Sequence, residues 1–195
     1  MIFTILAQRS TKRKVITMRK LHLDQINEWL PTLKAKEEIL LSGTVYTARD
    51  AVHKRLMAAL NAGEALPFPL ENTAIYYAGP TPAKGALAIG ACGPTTSSRM
   101  DPYVPRLFEA GLRLMIGKGD RSEEVYRTIK AYGGAYLVAL GGAGALASAC
   151  IKEASVIAYP ELGCESVKRL LLCDFPLFVG IDAQGNSIFS KGDNE

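Results

Sequence analysis

Three separated segments of this chain carry residue types able to hold and deprotonate a small carboxylic acid. The central one is Gly93-Pro94-Thr95-Thr96-Ser97-Ser98-Arg99-Met100-Asp101, which sets four hydroxyls beside a guanidinium. At a loop-to-helix junction such a set would hold an anion through backbone N–H groups, the helix dipole and a guanidinium fork, and would offer a hydroxyl for proton transfer. The same residues would equally serve as an N-cap, where Ser and Thr are common. Thr47-Ala48-Arg49-Asp50 lies upstream and Gly117-Lys118-Gly119 downstream. Alone, Arg49 is a surface arginine, whereas the glycines on either side of Lys118 would let backbone and ammonium approach a ligand closely. Brought to one place, Arg49, Arg99 and Lys118 would suit a dicarboxylic acid. His53 falls one helical turn after Arg49 and is expected to pack or hydrogen-bond rather than act as acid or base.

Elements that could position these groups follow from periodicity. Glu37 to Tyr46 has the alternation and β-branched content of a strand, and a helix should follow with Thr47 and Asp50 as a capping box. Ala48, Val52, Leu56, Met57 and Leu60 form its apolar stripe up to a stop at Gly63. Thr73 to Tyr77 is a predicted strand, and glycine-bounded Ala86 to Cys92 is expected to be another that delivers the central motif. Strand Leu112 to Ile116, helix Ser122 to Tyr132, strand Tyr136 to Leu140, helix Ala143 to Ile151 and strand Ser155 to Tyr159 then make a βαβαβ run, which predicts a mostly parallel half-sheet. Leu177 to Asp182 and Ser187 to Ser190 are expected to pair as a hairpin. Gly141-Gly142-Ala143-Gly144 matches neither common phosphate-cradle pattern and fits a tight strand-to-helix turn. Glu161 is expected to be structural.

Length and composition narrow the options further. With 195 residues, 48% of them hydrophobic, the chain suffices for one well-buried domain. The formal charge of +4 comes from the N-terminus, where residues 1–20 hold Arg9, Lys12, Arg13, Lys14, Arg19 and Lys20 and no acid. Without those six, 17 cations face 19 acids, so the body is slightly acidic and a nucleic-acid role is not indicated. Residues 1–20 are expected to be a disordered tail; for residues 1–17 the other readings are an upstream start before a natural one at Met18 and a transit peptide. Residues 21–195 form the predicted domain. No apolar run reaches the roughly 18 residues that span a bilayer, and a soluble cytoplasmic protein is expected. The four cysteines, Cys92, Cys150, Cys164 and Cys173, lack CxxC spacing, and the two histidines, His22 and His53, are not near them in sequence. No metal site of this chain's own is expected.

In their order, Gly43 to Arg55, Tyr77-Ala78-Gly79-Pro80-Thr81-Pro82, the central motif, Gly117-Lys118-Gly119, Pro160-Glu161-Leu162-Gly163 and Asp174-Phe175-Pro176 resemble the class I fumarase family. The match is to its C-terminal domain, which also occurs as a separate β subunit of fumarase or L-tartrate dehydratase. The resemblance implies an α/β fold, a swivelling β/β/α three-layer domain with a mixed, partly parallel sheet. It implies an iron–sulfur hydro-lyase whose 4Fe-4S cluster is carried by a partner α subunit, in an α2β2 assembly. By motif position it implies that Arg49, Arg99 and Lys118 bind substrate carboxylates and that Thr95 is the catalytic residue. His53, Asp50, Thr96 and Asp101 would support them. Fumarate hydration to L-malate is the leading expectation, L-tartrate dehydration the alternative, and a non-catalytic anion-binding module the third.

Overall fold

The computed structural model describes residues 18–189 other than 84, 86 and 140–143. Among these residues seven strands form one mixed sheet system. Strand β1 (Arg19–His22) pairs in parallel with β2 (Glu38–Thr47), and β2, β3 (Ala74–Tyr76), β4 (Leu114–Gly117) and β5 (Ala135–Val138) continue in parallel. The long strand β7 (Val167–Ile181) runs antiparallel to β5, to β2 and to β6 (Ile151–Ala158). Because β7 pairs with both β5 and β2, the sequence β2-β3-β4-β5-β7 closes on itself.

Strand alternation explains the layers. Ala74 and Tyr76 of β3, Leu114 and Ile116 of β4, and Ala135 and Leu137 of β5 point into a core shared with Ile39, Leu41, Leu170, Leu172, Phe175, Leu177 and Val179. The intervening Ile75, Met115 and Tyr136 point the other way. There they meet Val52 and Leu56 of helix α2 (Asp50–Ala62), Val104, Leu107 and Phe108 of α3 (Val104–Glu109), and Val125 and Ile129 of α4 (Glu123–Tyr132). The result is the expected three-layer α/β domain, with one core between sheet layers and one between sheet and helices. Preceding α2 (Asp50–Ala62) is α1 (Ile26–Trp29), and following it are α3 (Val104–Glu109), α4 (Glu123–Tyr132) and α5 (Gly144–Cys150). Gly63 and Gly133 end α2 and α4 in the left-handed conformation that glycine adopts without steric cost.

Several expectations are corrected. Thr47 does not cap α2: it ends β2, donates to Ser166 O (3.1 Å) and accepts from Lys168 N (2.9 Å), stitching β2 to β7, while Arg49 takes the cap position. Strand β6 pairs antiparallel with β7 rather than extending the parallel run, because the chain crosses to the other layer after α5. The segment before the central motif forms no strand among its described residues; Thr81 exchanges backbone bonds with Gly90 and Ala91, and Cys92 N donates to Gly144 O (3.1 Å). Its alanines and glycines give a strand little to pack. The final hairpin is a single Ile181–Ser187 bridge closed by Asp182, and its first strand extends back to Val167. Most of the expected tail, together with Gly141, Gly142 and Ala143, lies outside the described residues, whereas Arg19 and Lys20 belong to β1.

Candidate active site

Three adjacent parallel strands deliver the candidate groups from their carboxyl ends, the usual ligand side of such sheets. Arg49 follows β2 by two residues, Tyr77 follows β3, and Lys118 follows β4. The central motif is laid across the last two. Thr95 N donates to Tyr77 O (2.7 Å), Ser97 N donates to Lys118 O (3.1 Å), and Thr96 bridges Lys118 in parallel. Lys118 N returns a bond to Ser97 Oγ (2.9 Å). Gly117 makes this approach possible, since a Cβ there would collide with Ser97 Oγ.

Arg99 is joined to the first segment by a two-pronged ion pair, Nε to Asp50 Oδ1 (2.9 Å) and Nη2 to Asp50 Oδ2 (2.6 Å). Thr95, Arg99 and Lys118 are thus assembled around one backbone junction, with Asp50 tying α2 to it. Arg49 lies over Gly79, where a Cβ would stand 2.9 Å from Nη1, and its Nη2 pairs with Glu165 (3.1 Å). Its Nε is buried with no hydrogen-bond partner among the described residues. Lys118, Arg99 and Thr96 are exposed and Thr95 is half-buried, so the cations stand on an open face.

The supporting residues divide differently from the sequence expectation. Asp50 touches Arg99, and His53 Nδ1 meets Arg49 O (2.9 Å), so both lie beside candidate cations. His53 is fully buried; burial pushes its pKa down to about 4, the Arg49 carbonyl opposing and Arg121 assisting. It is therefore neutral, with Nδ1 donating and Nε2 a buried acceptor lacking a partner among the described residues. Thr96 makes no capping bond, and Ser97, expected to cap, is a buried acceptor for Lys118 N and Tyr136. The chain from Ser97 to Tyr103 winds as a seven-residue 3-10 helix containing Pro102, so the expected helix-dipole contribution has no α-helix to supply it.

Asp101 points beneath the site. Its Oδ1 accepts from Arg121 Nε (2.7 Å) and its Oδ2 from Ser122 N (2.6 Å). Sequence reasoning missed Arg121, whose side chain is wholly buried and lies over the rings of Tyr77 (5.3 Å) and Tyr136 (4.8 Å). Burial opposes its charge, but Tyr77, Asp101 and Tyr136 outweigh that and raise its pKa. Glu165 was missed as well. An arginine in a loop and a glutamate at the end of a short 3-10 helix give no local sign of their partners.

Glu161, expected to be structural, pairs with Arg55 on the surface. Lys168 donates to Gly163 O, Cys164 O and Ser166 Oγ, holding the loop after β6. Among the described residues no group of three His, Cys, Asp or Glu side chains could hold a metal ion. The cysteines do not fit a cluster either: Cys92 is buried and its thiol pushed up to about 12, while Cys164 and Cys173 are exposed. No helix among the described residues is long and apolar enough to cross a membrane.

Arg49 after β2, Lys118 after β4 and Arg99 on the loop laid across the ends of β3 and β4 give this layered α/β domain a cation-bearing edge. The chain belongs to the fumarase C-terminus family, whose profile matches residues 3–192. It is 38% identical over 172 residues to fumarate hydratase 2 of Leishmania major, covering 87% of this chain and 30% of that protein. Against the aerobic class I fumarate hydratase of Escherichia coli K12 it is 40% identical over 153 residues, 77% of this chain and 28% of the relative. Against a putative L(+)-tartrate dehydratase subunit beta of Methanocaldococcus jannaschii it is 36% identical over 165 residues, 82% of this chain and 85% of that one. The chain thus spans about a third or less of these two fumarate hydratases and most of the tartrate dehydratase subunit.

Proposed function

We propose that this chain is the β-type half of a two-part hydro-lyase that reversibly hydrates fumarate to L-malate. The observation that carries this reading is the junction of Thr95, Arg99 and Lys118 at the ends of β3 and β4, tied by Asp50 to the helix after Arg49. An open face bearing paired cations is half a site. A second body closing over it would exclude water and strengthen every charge interaction there.

In that reading Arg49, Arg99 and Lys118 hold the two substrate carboxylates. Removing the proton next to a carboxylate builds negative charge on it, and fixed cations lower that cost most where water is absent. Asp50 engages Nε and Nη2 of Arg99, orienting the planar fork and leaving its third nitrogen for substrate. Thr95 Oγ1 takes the carbon-bound proton in dehydration and returns it in hydration, and Lys118 favours its ionised form. The family's 4Fe-4S cluster, which would supply Lewis-acid activation of the departing hydroxyl, is assigned to the partner α subunit, since the donors among this chain's described residues do not fit it. An α2β2 assembly in the cytoplasm belongs to the same proposal.

The test is anaerobic reconstitution with the cluster-bearing subunit. Thr95→Ala and Arg99→Ala are each expected to lower fumarate turnover by at least about 100-fold. Turnover near wild type would remove the assigned roles. The tartrate reading is favoured by one observation, the near-complete overlap with a tartrate dehydratase β subunit. Comparing kcat/KM for malate and tartrate on the same preparation decides between them.

A further inference from the structure

The central motif is anchored at two points to the segment that carries Lys118. One is the pair of bonds between Ser97 and Lys118, backed by the Tyr136 hydroxyl, which donates to Gly119 O (3.0 Å) and stands in hydrogen-bond contact with Ser97 Oγ (2.9 Å). The other is Asp101, whose two oxygens are held by Arg121 Nε and Ser122 N. Arg99 lies between the anchors, and Thr95 lies two residues before the first. Arg121 itself is enclosed by Tyr77, whose carbonyl fixes Thr95 N, and by Tyr136.

We infer that Arg121 is a positioning residue: its buried pair with Asp101 sets the placement of Thr95 and Arg99 relative to Lys118. A buried ion pair adds little stability over apolar side chains of the same volume, yet it is directional and fixes register where greasy packing would tolerate a shift. Here it sits in a core whose other members are largely apolar, directly under the residues whose spacing matters. Beyond Asp101 the Arg121 guanidinium meets the Met115 sulfur (3.7 Å) and the rings of Tyr77 and Tyr136, so Asp101 is its one acidic partner among the described residues. The functional half of this inference rests on the hydro-lyase reading; the structural half does not.

The experiment uses the full chain carrying Arg121→Met, the double change Asp101→Asn with Arg121→Met, or Arg121→Lys. The single change leaves a carboxylate buried without its cation and should unfold more easily. The double change removes both charges and is expected to recover the wild-type urea midpoint, while amide exchange at Ser97 and Lys118 stays at least about tenfold faster than in wild type. Reconstituted with the cluster-bearing subunit, it is expected to lose about 100-fold in kcat with KM nearly unchanged, the scale of a misplacement of about 1 Å. Arg121→Lys keeps the charge without the fork and should fall between, and it carries the same readouts if the double variant does not fold. Wild-type exchange at Ser97 and Lys118, or kcat recovered together with stability, overturns the inference. A wild-type preparation that turns over neither malate nor tartrate defeats the hydro-lyase reading instead, and exchange at the two amides then decides this one alone.

Discussion

The two cores of this domain are built on different chemistry. The core between the sheet layers is carried by apolar side chains, and its Tyr76 hydroxyl and Trp29 indole end on backbone carbonyls of Cys92 (2.5 Å) and His22 (2.8 Å). The core between sheet and helices encloses His53, Ser97, Asp101 and Arg121 beside the rings of Tyr77 and Tyr136. In that second core Nε2 of His53, the Tyr77 hydroxyl and Nη2 of Arg121 have no partner among the described residues. Apolar burial is non-directional and serves stability; buried polar groups are costly and persist where a geometry must be specified. Polarity is concentrated under the strand ends that bear the candidate site, so the helix-side core acts as the site's foundation.

The largest effects expected are equal in size and different in kind. Phe175→Ala empties a fully buried ring from the inter-sheet core and should cost about 3–5 kcal/mol in urea unfolding. Asp101→Ala strands the Arg121 charge and should cost a similar ~3–5 kcal/mol. The comparison breaks if the surviving folded fractions behave alike: folded Phe175→Ala should turn over at the wild-type rate per active site, and folded Asp101→Ala should not.

Next in size is a pH effect confined to the helix-side core. The folded pKa of His53 is about 4, below the ordinary 6.5 of the unfolded chain, so between those values the unfolded state binds the extra proton. Its contribution to stability is complete above about pH 6.5 and is lost as pH falls toward 4. The difference corresponds to roughly 3 kcal/mol. Urea midpoints measured from pH 7 to pH 4 should fall, and His53→Gln, which does not titrate, should flatten that part of the curve. An unchanged slope would mean that His53 is not buried as a neutral ring.

The same contrast governs how much of the molecule is legible in its sequence. Periodicity located β2, α2 and α4, each with one buried face, whereas β3, β4 and β5, buried on both faces, stood out only as short apolar runs. The antiparallel course of β6 was hidden, since strand direction depends on which layer the chain reaches and not on its own residues. In the site, the motifs pointed to Arg49, Thr95, Arg99 and Lys118, and the structure joins the last three through backbone bonds and Asp50. Arg121 was not legible: an arginine between Asp120 and Ser122 has the local sequence of a solvated loop, and only the fold turns it inward. Ser97 and Thr96 were misjudged for a related reason, because a hydroxyl before a helix suggests a cap until a second loop claims it.

A smaller effect should come from Gly117. Adding a methyl there meets Ser97 Oγ and the Tyr77 ring, at 2.9 Å from Cδ2, and overpacking of this kind costs about 1–3 kcal/mol. Gly117→Ala is expected to lower the unfolding midpoint modestly while raising the exchange rate of the Lys118 amide. Gly63, beside which a Cβ would find open space, is the control for a steric cause. Since its backbone is left-handed, Gly63→Ala should lose stability through conformation alone and leave Lys118 exchange as it was.

The finest discrimination lies in two tyrosine hydroxyls, one for each core. Tyr76→Phe removes a bond to Cys92 O, and Tyr136→Phe removes bonds to Ser97 Oγ and Gly119 O. Each change keeps the ring and its packing, so each should cost only about 1 kcal/mol in unfolding free energy. Turnover separates them. The Tyr76 bond closes a loop before the central motif, and its loss should leave kcat within about twofold of wild type. The Tyr136 bonds hold Ser97 and the Lys118 loop together, so the same small loss of stability should carry a fall of about tenfold in kcat. Equal kcat values in the two variants would mean that the polar core stabilises the domain without positioning the site.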